Sequence, residues 1–105
     1  QRSKEQKLNA LTTAMKMAAY RFRDAERKIG LYRDTLVPKA TQGIRVTQTA
    51  FQAGKASFTD LIDAQRILLE FELAHQRARA DKAQQMAKLE MLVGTEIPPA
   101  GNPRP

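Results

Sequence analysis

Apolar side chains recur along the first part of the chain in alternating steps of three and four residues. The series runs without a break through Leu8, Leu11, Met15, Ala18, Phe22, Ala25, Ile29, Tyr32 and Leu36. This spacing is that of the a and d positions of a heptad repeat, and lysine and arginine fill many of the positions between them. The pattern predicts a helix that packs one face against another helix.

A proline interrupts this helix. Pro38 lacks an amide proton, and its ring clashes with the carbonyl group four residues earlier, so we expect a kink or local break near Thr35–Val37. The apolar pattern then resumes in a shifted phase, with Thr47 in the same row: Val37, Ala40, Ile44, Thr47 and Phe51. We therefore predict one kinked helix over residues 1–53.

The sequence then changes character over residues 53–57, Ala-Gly-Lys-Ala-Ser. Gly54 can take the left-handed conformation that closes a helix. Ser57 is a suitable N-cap residue, and Asp60 three residues later completes a variant of the capping box. A connection over residues 54–57 is so short that the two flanking helices must run antiparallel as neighbours.

The second helix is predicted over residues 58–93, and it differs from the first by having two apolar rows. One row contains Leu61, Ala64, Leu68, Phe71, Ala78, Leu89 and Leu92. The other row contains Ile62, Leu69, Leu73, Ala80, Ala83 and Ala87. A helix with two apolar rows is expected to have neighbours on both sides, as in a ring or bundle of helices. Gly94 is the predicted C′ residue, followed by a proline-rich tail over residues 94–105 that we expect to be extended or disordered.

The predicted fold class is therefore all-α, a long antiparallel coiled-coil hairpin of the kind that forms part of a helical barrel. No apolar run approaches the ~20 residues needed to span a bilayer, and there is no cysteine. We find no nucleophile–base pair, phosphate-binding loop or metal-ligand spacing. We accordingly expect no enzymatic activity, no cofactor and no metal.

The net charge of +7 is confined to the first half of the chain. Residues 1–54 hold eleven Lys/Arg and four Asp/Glu, whereas residues 55–105 hold seven of each. Such a charge could attract nucleic acid or an anionic membrane surface. However, the aromatic residues lie in the apolar row, and no groove-reading module accompanies the charge. We therefore expect no nucleic-acid partner.

The turn and the second helix resemble the last helical hairpin of the TolC-type outer-membrane efflux channels. Members carry an aromatic residue, a glycine three positions later, and then a [ST]-x-x-[DE]-[VL]-[LI]-[DN]-A stretch. The corresponding residues here are Phe51, Gly54, Ser57, Asp60, Leu61, Ile62, Asp63 and Ala64, with the ending Leu92-Val93-Gly94. The upstream RDAERKIGLYRDTLVPKA is similar to the heavy-metal and cation efflux branch. The resemblance covers roughly residues 20–95.

This resemblance implies a homotrimer whose helices form a periplasmic tunnel joined to a β-barrel in the outer membrane of a Gram-negative cell. The tunnel is a passive conduit in a tripartite pump, with a periplasmic adaptor protein and an inner-membrane pump as partners. The first of the two family repeats and the β-strands have no counterpart here. The chain is therefore expected to be a C-terminal fragment of such a channel.

The resemblance also suggests functional residues at the turn. Asp60 and Asp63 would face the narrow entrance, where three copies form an anionic ring that favours cations. A structural role is also expected and is compatible with this one: Asp60 completes the cap, both carboxylates favour the helix N-terminus, and Asp63 can pair with Arg66. The residues expected to touch the adaptor are Phe51, Gly54, Lys55 and Ser57, although closing the turn alone would account for Gly54 and Ser57.

Two other residue types receive structural interpretations. His75 has no partner at metal-ligand spacing, so we expect a solvated or tunnel-facing side chain. The methionines Met15, Met17, Met86 and Met91 could suggest copper, but filling an irregular core accounts for them better.

Two alternative functions remain open at this point. The chain could be an autonomous coiled-coil interaction module, for example an adaptor hairpin, although no strands of a lipoyl-like domain flank it. It could also be a basic protein that binds nucleic acid or a membrane surface without specificity.

Overall fold

The computed structural model describes residues 2–96 and consists of helices joined by one turn. Helix α1 spans Arg2–Leu31, a π-helical turn spans Tyr32–Leu36, α2 spans Val37–Gln52 and α3 spans Phe58–Glu96. The predicted all-α helical hairpin is confirmed. Within the described residues, no helix is both long and apolar enough to cross a membrane.

The interruption expected near Pro38 takes the form of the π-helical turn, which lies just before the proline. The Val37 amide donates its hydrogen bond to the Tyr32 carbonyl, five residues back instead of four. Leu31 and Val37, on either side of this turn, both keep right-handed helical backbone angles. A helix widened in this way takes up one extra residue, which explains why the sheltered positions downstream are shifted by one.

The chain divides into two compact units. One unit is Glu26–Arg79, and the other combines the residues up to Ala25 with those from Ala80 onward. In the Glu26–Arg79 unit, Phe51 lies against Phe58 and Tyr32 against Phe71, with ring centroids 6.3 and 6.0 Å apart. In these two pairs the residue number in the second arm rises as the residue number in the first arm falls. The two arms of this unit therefore run antiparallel.

The other unit is paired in the same sense. The Lys82 ammonium lies 5.5 Å from the centroid of the Phe22 ring, and Leu89 lines one surface cleft with Met15 and Ala19. Leu8, the first residue of the predicted seam, is 52% exposed. In this antiparallel register Leu8 would lie beside the last described residues of α3.

The seam is narrow and contains small residues at its most buried points. Ala18, Ala25 and Ala78 are the buried hydrophobic residues of the described chain, and no large side chain in that part is fully buried. Small side chains let two helix backbones approach closely, whereas larger ones stay partly in contact with solvent. A two-helix layer of this kind shelters one face of each helix and leaves the others exposed.

The end of the second helix differs from the prediction. Gly94 was expected to end the helix in a left-handed conformation, but α3 continues through Gly94 to Glu96. Gly54 is the glycine with a positive φ among those described, so Gly94 keeps ordinary helical geometry. A glycine at a helix end permits the left-handed conformation without enforcing it. The tail predicted over residues 94–105 is thus helical through residue 96, and its remainder lies outside the described residues.

Candidate functional site

The turn between α2 and α3 is closed by backbone hydrogen bonds on its α2 side. The Lys55 amide donates to the Ala50 carbonyl at 2.7 Å, and the Gly54 amide donates to the Phe51 carbonyl at 3.0 Å. These two bonds form a Schellman motif, which requires a left-handed residue at Gly54, where φ is 77°. The predicted role of Gly54 in closing the first helix is therefore confirmed.

The start of α3 is fixed by side chains. The Asp60 amide donates to the Ser57 hydroxyl at 3.1 Å, and the Ser57 amide donates to the Asp60 carboxylate at 2.9 Å. This reciprocal pair is the predicted capping box, with aspartate in place of the commoner glutamate. Helix α2 therefore ends and α3 begins within five residues, and each end carries its own hydrogen-bonded stop.

Two aromatic rings flank the turn and remain largely in solvent. Phe51 is 41% exposed and Phe58 is 63% exposed, although the two rings lie close enough to interact. Phe58 was not identified from the sequence as a candidate site residue. Its position, as the first residue of α3 and seven residues after Phe51, is the signal that could have identified it. Together with Lys55, which is also exposed, the rings give the turn an accessible apolar surface.

The two candidate gate residues lie on the exposed side of the first turns of α3. The Asp60 carboxylate accepts a hydrogen bond in the capping box. Within the described chain Asp63 makes no ion pair with Arg66, and this predicted pairing is therefore absent. Asp60 lies in the first turn of α3, where the helix dipole favours negative charge, whereas Asp63 lies beyond that turn. Among the described residues no group of three or more His, Cys, Asp or Glu could hold a metal ion.

Helix α3 shelters one of its two predicted apolar rows and exposes the other. Apart from Ala74, which is also half-buried, the partly or fully buried positions recur in steps of three and four: Leu61, Ala64, Leu68, Phe71, His75, Ala78, Lys82, Gln85, Leu89 and Leu92. All six members of the second row are exposed, with Ile62 at 36%, Leu73 at 47% and Leu69 at 55%. One helical neighbour is therefore enough for the first row, and the second row has none within residues 2–96.

The sheltered row contains polar residues that the apolar pattern alone did not identify. His75 is half-buried in this row, so its side chain is only partly in solvent, and a tunnel-facing position stays a prediction. Lys82 and Gln85 continue the row, and the Gln85 Oε1 atom is buried without a hydrogen-bond partner. The three-and-four spacing, continued through polar residues, was the signal that could have placed them.

The methionines do not form a shared core. Met15 is half-buried, whereas Met17, Met86 and Met91 are 46%, 42% and 62% exposed. The interpretation of these residues as core filling therefore holds for Met15 alone.

An ion pair lies at the π-helical turn in the basic first half of the chain. Arg33 donates two hydrogen bonds to the neighbouring Asp34, from Nε at 2.8 Å and from Nη2 at 3.0 Å. The hydrogen bond from Arg33 lowers the pKa of the Asp34 carboxyl, and the guanidinium charge adds to this effect. Both side chains are exposed, so the pair leaves this surface accessible.

Comparison with known proteins adds no further constraint. No protein-family model, no curated protein and no solved structure matches this chain.

Proposed function

We propose that the chain is a wall segment of the periplasmic tunnel in a trimeric outer-membrane efflux channel. In this proposal α1 and α2 form the descending arm, α3 forms the ascending arm and the turn lies at the periplasmic tip. The segment is a passive conduit, and its partners are two further copies, a periplasmic adaptor protein and an inner-membrane pump.

The observation that carries the proposal is the exposed apolar row of α3. Leu69 and Leu73 lie in solvent on a helix whose other apolar row is already covered. A helix in a closed ring of helices needs a covered face on each side, whereas a helix in an isolated hairpin needs only one. Alanines at 80, 83 and 87 would let a neighbouring helix approach closely.

The turn supports the same proposal in a different way. Its residues match the tip motif of the channel family, and the Schellman motif and capping box hold them in a defined shape. Phe51, Phe58 and Lys55 are exposed there and available to an adaptor. A rigid tip with accessible aromatic rings suits docking against another helical hairpin.

The wall assignment can be tested in the full-length protein. Changing both Leu69 and Leu73 to Asp should prevent assembly of the trimer in the outer membrane and abolish export. Changing Gln65 and Gln84 to Asp is the matched control for adding two charges, because both residues are exposed on α3 and neither belongs to either row. Export that survives the double leucine change would overturn the proposal.

The gate role needs a separate experiment, because Asp60 also caps α3. Asp63 takes no part in the capping box, so Asp63→Asn removes charge without removing a cap bond. We expect lower cation preference of the channel in planar bilayers. Asp81→Asn, on an exposed part of α3 farther from the tip, is the matched control. Unchanged ion preference in the Asp63 variant would leave these carboxylates with structural roles alone.

A further inference from the structure

The exposed row of α3 is a complete heptad seam of its own. Counted in steps of four and three, it contains Ile62, Arg66, Leu69, Leu73, Gln76, Ala80, Ala83 and Ala87, all exposed. At 100° per residue this row lies about 150° around the helix from the sheltered row. Helix α3 thus has the residue spacing of a coiled coil on two nearly opposite faces.

This row changes in size along its length. Its N-terminal half carries the long side chains of Ile62, Arg66, Leu69 and Leu73, and its C-terminal half carries three alanines after Gln76. Two parallel copies would place like against like: Arg66 against Arg66, and alanine against alanine. Two antiparallel copies place three of the four long side chains, those of Ile62, Arg66 and Leu69, against alanines.

The antiparallel register that uses the whole row follows from the spacing. In antiparallel coiled coils each core position of one helix faces a position of the other type on its partner. This places Leu69 opposite Ala80 of the second copy, and Ile62 opposite its Ala87. Leu73 then faces Gln76 of the second copy near the centre, and a two-fold axis passes between residues 74 and 75. Such an interface is isologous, with the same surface used by both copies.

The charges beside the row fit this register independently of the core. Glu70 and Arg77 flank the row on one side, and Glu72 and Arg79 flank it on the other. In the antiparallel register Glu70 faces Arg77 of the second copy and Glu72 faces its Arg79. The two-fold axis repeats each contact, which gives four pairs of opposite charge. All four side chains are exposed, and none forms an ion pair within the described chain.

From the size pattern and the charge pattern together, we propose that the exposed row of α3 binds a second copy of this chain, with the two α3 helices antiparallel about a two-fold axis. The proposal goes beyond the tunnel wall, because it concerns the assembly that the 105-residue chain forms by itself. The tunnel wall concerns the trimer of a full-length channel, in which a neighbouring helix would cover this row, whereas the dimer concerns the 105-residue chain alone. Each proposal can therefore fail without the other.

Single cysteines test the register directly, because the chain has none of its own. We expect a mixture of the Leu69→Cys and Ala80→Cys proteins to form a mixed disulfide under mild oxidation. Leu69→Cys alone should not cross-link, because in this register its two copies lie about 16 Å apart along the axis. Cross-linking of Leu69→Cys with itself would indicate a parallel pair and overturn the proposal. Absence of any mixed disulfide would overturn it equally.

Charge reversal tests the flanking contacts in solution. By sedimentation, the unmodified chain should have the mass of two copies. Glu72→Arg should weaken the dimer by at least about threefold, since two contacts are lost and two repulsions appear. Combining Glu72→Arg with Arg79→Glu should restore the dimer to within about twofold. Asp81→Arg, which adds the same charge away from the row, should have little effect.

Each outcome of this experiment is decisive for the dimer. A monomer or a trimer by mass, or a charge-swapped variant that stays as weak as Glu72→Arg, would overturn the antiparallel pairing. Circular dichroism of each variant shows whether it retains the helical content of the unmodified chain. The cysteine experiment needs no charge change and gives an independent answer if a charge variant fails to fold. Neither measurement depends on whether the full-length protein forms an efflux channel.

Discussion

The same substitution, glycine to alanine, should have opposite effects on stability at two positions that are eleven residues apart. Gly54 closes α2 with φ at 77°, whereas Gly43 lies within α2 and has no positive φ. At both positions an added Cβ atom would meet no other atom within 4 Å. Steric crowding is therefore the same at the two sites, and the backbone conformation alone distinguishes them.

The expected magnitudes follow from that difference. At Gly43, alanine favours the helix and restricts the unfolded chain, so the free energy of unfolding should rise by about 0.5–1 kcal/mol. At Gly54, the left-handed conformation costs alanine about 1–2 kcal/mol, which is partly offset by the same restriction of the unfolded chain. The net loss should be about 0.5–1.5 kcal/mol, so the two variants should differ by about 1–2.5 kcal/mol.

The assay is urea unfolding followed by circular dichroism at a single protein concentration. The concentration must be fixed because self-association adds to apparent stability. Comparison of midpoints at constant slope gives the difference between the two variants. If Gly54→Ala were as stable as Gly43→Ala, the backbone at residue 54 would not be held in the left-handed region, and the Schellman motif would not be what ends α2.

Three further predictions concern single side chains. Ser57→Ala should cost about 1 kcal/mol in the same unfolding assay by removing the cap, whereas Thr59→Ala, an exposed control on the first turn, should cost less. Gln85→Leu should stabilise the chain by about 1 kcal/mol or more, because it removes a buried acceptor that has no partner; a loss of stability would contradict the seam position. The carboxyl of Asp34 should titrate below its usual pKa by NMR and return towards it in Arg33→Gln. The ion pair of Asp34 stabilises the folded chain above the ordinary carboxyl pKa, and this stabilisation is lost as the pH falls through the lowered pKa that Asp34 has in the folded chain. An unchanged Asp34 titration in Arg33→Gln would refute the pairing.

The turn was the most predictable part of the molecule, because its determinants are local. Gly54, Ser57 and Asp60 specify the turn through hydrogen bonds to residues no more than five positions away. Each of these bonds follows from residue type and spacing alone, without knowledge of what packs against the turn. Local hydrogen bonding therefore made the end of α2 and the start of α3 readable from the sequence.

The composition of the seam was less predictable. An apolar pattern excludes three polar residues that nevertheless occupy sheltered positions, His75, Lys82 and Gln85. The ammonium group of Lys82 lies over the Phe22 ring. Long polar side chains can shelter their methylene groups beside a neighbouring helix while the polar end finds solvent or a ring. Whether such a side chain is sheltered depends on the partner helix, and the hydropathy of the residue itself does not predict it.

The end of α3 and the use of its second row were unpredictable for a further reason. Gly94 permits two backbone conformations of similar energy, so its residue type does not decide between them. The apolar row through Leu69 and Leu73 shows that a neighbour is needed, but its identity depends on other chains. The sequence pattern indicates that this row has a helical neighbour, and a measurement of oligomeric state is needed to identify that neighbour.

The π-helical turn before Pro38 makes the direction of the apolar face independent of the number of residues in the first arm, whereas in a regular helix the two are coupled. In an uninterrupted heptad, one inserted residue rotates everything downstream by about 100° and turns the apolar face away from its partner. Here the wider turn at Tyr32–Leu36 absorbs that residue, so Ala40 and Ile44 are sheltered like the residues before it. Deleting one residue at this point would therefore convert the wide turn into regular α-helix without turning the pairing face away.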